Sequence, residues 1–208
     1  MKSSNRILLT TCLFFSGCAF GTQMNYRDTE ISVPAFRSPL GLAVWDQRNY
    51  VVSGDKSEQF IGVQRSGWGI PFGVHTASGL PLSVEFRQAI QRGLEKKKIQ
   101  VIPLDTTVRV SKNEIIISQQ KANAPLNLLI TIAEWKSDTM NNVSFSYDII
   151  AEVFDKAGNL IAQKRVQGSK DLDASFWNPI GSSERLMNKQ QQDVFGEVFS
   201  SPEIKGVL

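Results

Sequence analysis

The clearest pattern in the chain is an alternation between residues 143 and 154. Val143, Phe145, Tyr147, Ile149, Ala151 and Val153 fall on one side, and Ser144, Ser146, Asp148 and Glu152 on the other. A period of two with one apolar face predicts an antiparallel strand that is wet on one side. Asp155 to Asn159 supplies a tight turn with Gly158 at its left-handed position, and Leu160 to Val166 returns as the partner strand. Leu126 to Trp135 also alternates, with Leu126, Leu128, Ile130 and Ile132 together. Leu40 to Trp45 is a compact apolar run that reads as the first core strand. Ile99 to Ile102, stopped by Pro103, and Glu114 to Ser118 read as shorter strands.

Elsewhere the period changes. Leu82, Phe86, Ile90 and Leu94 recur every four residues within Leu82 to Lys98, and Ala89 and Gly93 widen the stripe, which predicts an amphipathic helix. Lys96, Lys97 and Lys98 fall in its last turn, where they oppose the negative end of the helix dipole. A second helix is expected over Ser182 to Phe199, with Met187, Val194, Phe195, Val198 and Phe199 inward and Ser182 or Ser183 as the cap. Strand, helix and strand in that order fit a βαβ unit in the first half. The whole predicts an α+β domain over residues 40–208: a mostly antiparallel sheet of about 4–6 strands with two main helices packed on one face.

Asn49 to Gly79 departs from these patterns. It holds six of the fifteen glycines (54, 62, 67, 69, 73 and 79), together with Phe60, Trp68, Phe72 and the single histidine, His75. Val51-Val52 and Phe60-Ile61 are expected to form a small hairpin across Gly54-Asp55, and the remainder reads as a loop. Loops of this length inside a compact domain are often functional. Trp, Phe and Arg are enriched at interface hot spots, so Arg48, Arg65, Trp68, Phe72 and His75 are the candidate partner-binding residues. The competing expectation is that Trp68 and Phe72 only pin the loop to the core.

Composition adds an address. The formal charge of the 208 residues is +3, but Lys2 and Arg6 lie in the first six. They precede an apolar stretch from Ile7 to Phe15, and no acidic residue appears before Asp28. This is the pattern of a signal segment, here residues 1–17. Without it 21 positive charges face 20 negative ones, leaving +1. That balance argues against nucleic acid as a partner. The stretch is shorter than the roughly 20 apolar residues of a spanning helix. Phe15-Ser16-Gly17-Cys18 resembles the lipobox of bacterial lipoproteins, in which the cysteine is acylated and becomes the new N-terminus. Phe15 stands where that family usually has Leu. Ala19, in place of the Asp common in inner-membrane-retained members, favours the outer membrane, periplasmic face. The expected organisation is then an acylated Cys18 and tether over residues 18–39, followed by the domain. Ile31 and Val33 within that tether are candidates for a short docked edge strand.

With Cys12 in the removed segment and Cys18 acylated, no thiol remains for nucleophilic or metal chemistry. One histidine makes no multi-His metal site, and the serine-hydrolase string G-x-S-x-G is absent. Ser53 to Lys56 and Ser118 to Lys121 match S-x-x-K but lack the companion strings of penicillin-binding enzymes. The expectation is a protein that is not an enzyme and carries no cofactor and no metal.

With Val44-Trp45-Asp46-Gln47-Arg48 and the Gly62 to Gly79 segment read together, residues 40–165 resemble YajG-like bacterial outer-membrane lipoproteins. That resemblance implies an α+β domain and carries over no catalytic residue. The expected function is a periplasm-facing, membrane-anchored accessory module in envelope assembly or maintenance, with an envelope protein as partner and an unspecified oligomeric state. The alternative is a carrier or sensor of a small envelope ligand, a lipid or glycan fragment, which requires a concave apolar pocket. An enzyme acting on peptidoglycan is a third, weaker possibility.

Overall fold

The computed structural model describes residues 23–37, 39–140, 142–172 and 179–207; Cys18 and the signal segment lie outside them. In chain order the elements are β1 (Gln23–Met24), β2 (Leu40–Asp46), α1 (Asn49–Val52), β3 (Phe60–Arg65), β4 (Pro71–Thr76), α2 (Leu82–Lys96) and β5 (Val101–Leu104). There follow α3 (Lys112–Lys121), β6 (Leu126–Thr139), β7 (Val143–Asp155), β8 (Leu160–Leu172), α4 (Pro179–Ser200) and α5 (Pro202–Lys205).

The long strand β6 organises a single eight-stranded sheet. One of its edges pairs antiparallel with β7 along its whole length, and β7 pairs antiparallel with β8. This is the hairpin expected from the alternation, with the apolar face of β7 buried as predicted. The other edge of β6 forks. Its first half, Leu126 to Ile132, pairs parallel with β2, which in turn carries β5; its last part, Ser137 to Thr139, pairs parallel with β3. Beyond β3 lie β4 (antiparallel) and β1 (parallel). Four of these seven pairings are parallel, so the sheet is mixed and larger than the mostly antiparallel one expected.

A bulge sits at the fork. Ile132 opposes Ile149 and Glu134 opposes Asp148, leaving Ala133 as the extra residue. One inserted residue reverses the in–out parity of a strand. Trp135 therefore joins Ile132 on the buried face, although their spacing in the sequence is odd. There it meets Tyr26, Phe86 and Phe145 edge to face, with ring centroids 4.8 to 5.8 Å apart.

Helices α2 and α4 cover this face, the one through Phe86, Ile90 and Leu94 and the other through Met187, Val194, Phe195, Val198 and Phe199. A smaller core lies on the opposite face, where Ala43, Leu129 and Phe154 meet Ile115 of α3. Helices thus pack on both faces, not on one. Segment 114–118, expected as a strand, belongs to α3. Its start is a capping box: the Ser111 hydroxyl accepts from the Glu114 N–H while the Glu114 carboxylate accepts from the Ser111 N–H at 2.8 Å. Val51-Val52, also expected as a strand, ends the single turn α1. Helix α4 begins at Pro179, so Ser182 and Ser183, expected at its cap, lie within the helix.

The stretch expected as a tether is part of the domain from Gln23 onward. Met24, Tyr26, Ile31, Val33 and Phe36 are all buried in the main core. The Tyr26 N–H donates to the buried Glu85 carboxylate at 2.9 Å, and the Ser78 hydroxyl donates to its other oxygen at 2.6 Å. The strap then crosses α2 at Gly93, where a Cβ would stand 2.4 Å from the carbonyl oxygen of Ile31.

Candidate functional site: the forked edge and the hairpin end

At the fork, residues between Ile132 and Ser137 have no strand beside them on the β2–β3 edge. Backbone carbonyls there need other donors, because a buried polar group without a partner is costly. Arg48 supplies one for Trp135 and serves two carbonyls nearby. Its Nη1 donates to the carbonyls of Phe60 and, at 3.5 Å, Trp135; its Nη2 donates to that of Glu58 at 3.1 Å. Nε and Nη2 also hold both carboxylate oxygens of Asp46 at 2.9 and 2.6 Å. Both side chains are almost wholly buried. Burial works against the Arg48 cation, but the hydrogen bonds and charge of Asp46 outweigh it and hold its pKa above the ordinary arginine value. Beside it the Tyr50 hydroxyl donates to Glu134 at 2.6 Å, and burial pushes its pKa well up. Arg48 therefore fastens the sheet from inside, and its side chain is out of reach of any partner.

The glycine-rich segment is a hairpin rather than a loop. β3 and β4 pair from Phe60↔His75 to Arg65↔Pro71. Gly62 is required on β3 because a Cβ there would stand 2.3 and 2.4 Å from the side-chain and backbone oxygens of Ser137. The turn closes on Ser66. Its N–H donates to the Ile70 carbonyl at 2.9 Å, and its hydroxyl accepts from the Trp68 and Ile70 N–H groups. Gly69 carries the left-handed φ of +79° that this turn needs. Arg65 clamps the arm to β6 through a bidentate pair with Asp138, Nε to Oδ1 at 2.9 Å and Nη2 to Oδ2 at 2.7 Å. That pairing holds the Asp138 carboxyl below its usual pKa.

Past this clamp the side chains point into solvent. Trp68 is 92% exposed, Ile70 56% and Phe72 50%. Met140, 51% exposed, follows the end of β6 at the same end of the sheet. Neither aromatic pins the hairpin to the core. His75 lies farther down β4, partly buried, with its ring edge-on to Phe60 at 6.1 Å and in the space left by Gly73. Of the five candidate contact residues, the structure brings Trp68 and Phe72 to one exposed end with Arg65 at its base. It places Arg48 and His75 in supporting positions. Ile70 and Met140 escaped sequence reasoning. The signal for Ile70 was an apolar residue enclosed by Gly69 and Pro71 in a turn, with nowhere to bury.

A groove of about 520 Å³ lies between α1 and the segment before α3, lined by Val51, Lys56, Glu58, Gln59, Thr107 and Arg109 among others. Its walls mix charged and polar side chains with the apolar Val51 and Val108. Among the described residues no group of three His, Cys, Asp or Glu side chains is placed to hold a metal ion. None of their helices is long and apolar enough to cross a membrane.

No family model matches the sequence, and no curated protein matches it. Among solved structures, protein XCC0632 from Xanthomonas campestris, of the family model DUF330, is similar with a TM-score of 0.52. It is 11% identical, and the match covers 86% of this chain and 93% of that one. At that identity the likeness is one of fold alone. The PelC dodecamer from Paraburkholderia phytofirmans aligns at a TM-score of 0.44 and 11% identity, over 81% of this chain and 92% of that one. Lipoprotein GNA1162 from Neisseria meningitidis aligns at 0.32 and 11%, over 76% and 97%. The α+β fold is thus shared with a DUF330 protein, while the narrower likeness to YajG-like lipoproteins rests on the sequence motifs.

Proposed function

We propose that this chain is a lipid-anchored accessory module of the bacterial envelope, facing the periplasm from the outer membrane, and that it works by binding rather than by catalysis. The observation that carries the reading is the hairpin end. A hairpin arm, tied to β6 by Arg65 and Asp138, presents Trp68, Ile70 and Phe72 to the outside with no core to bury them. Apolar side chains clustered at an exposed end mark a contact surface. The lipobox-like Phe15 to Cys18 string supplies the anchor in this reading.

Photo-cross-linking in living cells tests it, with the reactive group at residue 68 and a control at Ser146 on β7. A discrete adduct at 68 alone, whether to protein or to lipid, supports a contact surface at the hairpin end. Equal labelling at both positions, or none at 68 in a normally expressed protein, rejects it.

A further inference from the structure

We infer that the hairpin end docks into the surface of a phospholipid bilayer, the same membrane that holds the anchor; the inference rests on the lipid-anchored reading above. The argument comes from strand direction. β1 runs parallel to β4, with Gln23 opposite His75 and Met24 opposite Thr76. β4 itself starts at the hairpin turn and runs away from it. β1 therefore enters the sheet from the hairpin side, with Gln23 the residue nearer the turn. Cys18 lies five residues before Gln23, and Ile70 lies five residues before His75. Five residues span at most about 17 Å, so an acyl group on Cys18 is leashed within reach of the level of Ile70.

The chemistry of the end fits that neighbour. Residues 66–72 read Ser-Gly-Trp-Gly-Ile-Pro-Phe and contain no charged side chain. The nearest cation, Arg65, is neutralised by Asp138. Four of the nine exposed large hydrophobic residues among the described ones gather here: Trp68, Ile70, Phe72 and Met140. Tryptophan favours the headgroup level of a bilayer, where its ring is half in hydrocarbon and its N–H still reaches water. A short leash and an uncharged tryptophan-tipped hairpin at one end of one sheet together form a two-point attachment. The second point fixes how the domain stands on the membrane.

The test uses the full acylated protein in vesicles of phosphatidylethanolamine and phosphatidylglycerol. An environment-sensitive fluorophore is attached at Trp68→Cys, or at Ser146→Cys as control. Thermal melting of each variant checks that the fold is intact. The label at 68 is expected to lose about half of its emission to lipid-borne spin labels and little to aqueous iodide, as an interfacial position would; the label at 146 is expected to do the reverse. If the protein floats with the vesicles but the label at 68 stays open to iodide, the docking is overturned while the anchor stands. If the protein does not float, the anchored reading fails and the docking with it. A protein adduct at residue 68 in living cells, or shielding of the label by a second copy without lipid, gives the end another occupant and also overturns the inference.

Discussion

Arg48 grips both carboxylate oxygens of Asp46, two residues earlier in the chain, at the point where two strands leave the same edge of β6. The pair is buried, and the remaining guanidinium N–H groups serve carbonyls of β6, β3 and the turn before β3. Removing one partner of a buried pair leaves the other charge uncompensated, which costs about 3–5 kcal/mol. Arg48→Met should lower stability by that amount in urea denaturation. Arg48→Lys should rescue little of it, because a point-like ammonium cannot reproduce the planar fork. A loss under about 1 kcal/mol for Arg48→Met would mean that water replaces the guanidinium at the fork.

The Arg65–Asp138 clamp should be visible in a carboxyl titration followed by NMR. The Asp138 carboxyl should titrate below the ordinary aspartate value of about 3.9. Because the folded pKa is the lower one, its contribution to stability is fully present above the unfolded value and is lost as pH falls through the folded value. Arg65→Gln should return the midpoint toward about 3.9. Both side chains are more than a third exposed, so the stability change itself should be small.

Two glycines make opposite predictions. The three atoms nearest a Cβ on Gly41 all belong to the side chain of Asn127, the first being its Oδ1 at 2.1 Å. Gly41→Ala should cost about 1–3 kcal/mol by overpacking, and Asn127→Ala in the same chain should recover most of it. A Cβ on Gly62 meets the backbone oxygen of Ser137 as well as its hydroxyl. Gly62→Ala should therefore stay destabilised even with Ser137→Ala. Thermal denaturation of the two double variants separates these cases.

Helix α3 rests on its cap more than on an apolar stripe, since Ile115 and Gln119 are its only buried residues while Ile117 is exposed. Ser111→Ala should cost about 1 kcal/mol. Ser111→Asp, which keeps an acceptor at the cap, should cost less in the same denaturation experiment.

That helix also shows how the sequence can mislead. Three consecutive isoleucines, 115 to 117, look like a strand because β-branched residues favour one, yet the string Ser111-Lys112-Asn113-Glu114 already marked a helix start. The β7–β8 hairpin was legible because one face is wet and the other dry. β6 was legible only as far as its bulge, where the parity change at Ala133 concealed the inward turn of Trp135. The strap over residues 23–37 has no period, since it crosses helices and sheet in irregular backbone and buries residues wherever it touches. At the candidate site, sequence reasoning selected Trp68 and Phe72 by residue type, and both are exposed. It could not separate Arg48 from them, because an arginine bound inside a sheet and one at a surface look alike until the strands beside it are known.

The fork also divides the molecule unequally. β7 shares thirteen register pairs with β6, whereas β3 shares three, Gly62 to Gln64. Local opening follows the thinnest connection. The β3–β4–β1 branch is accordingly the part whose amides should exchange first, through excursions that leave the β6–β8 frame closed. The chain thus carries its most exposed apolar residues on its most yielding element, and that branch can accommodate to whatever it touches while the frame keeps its shape.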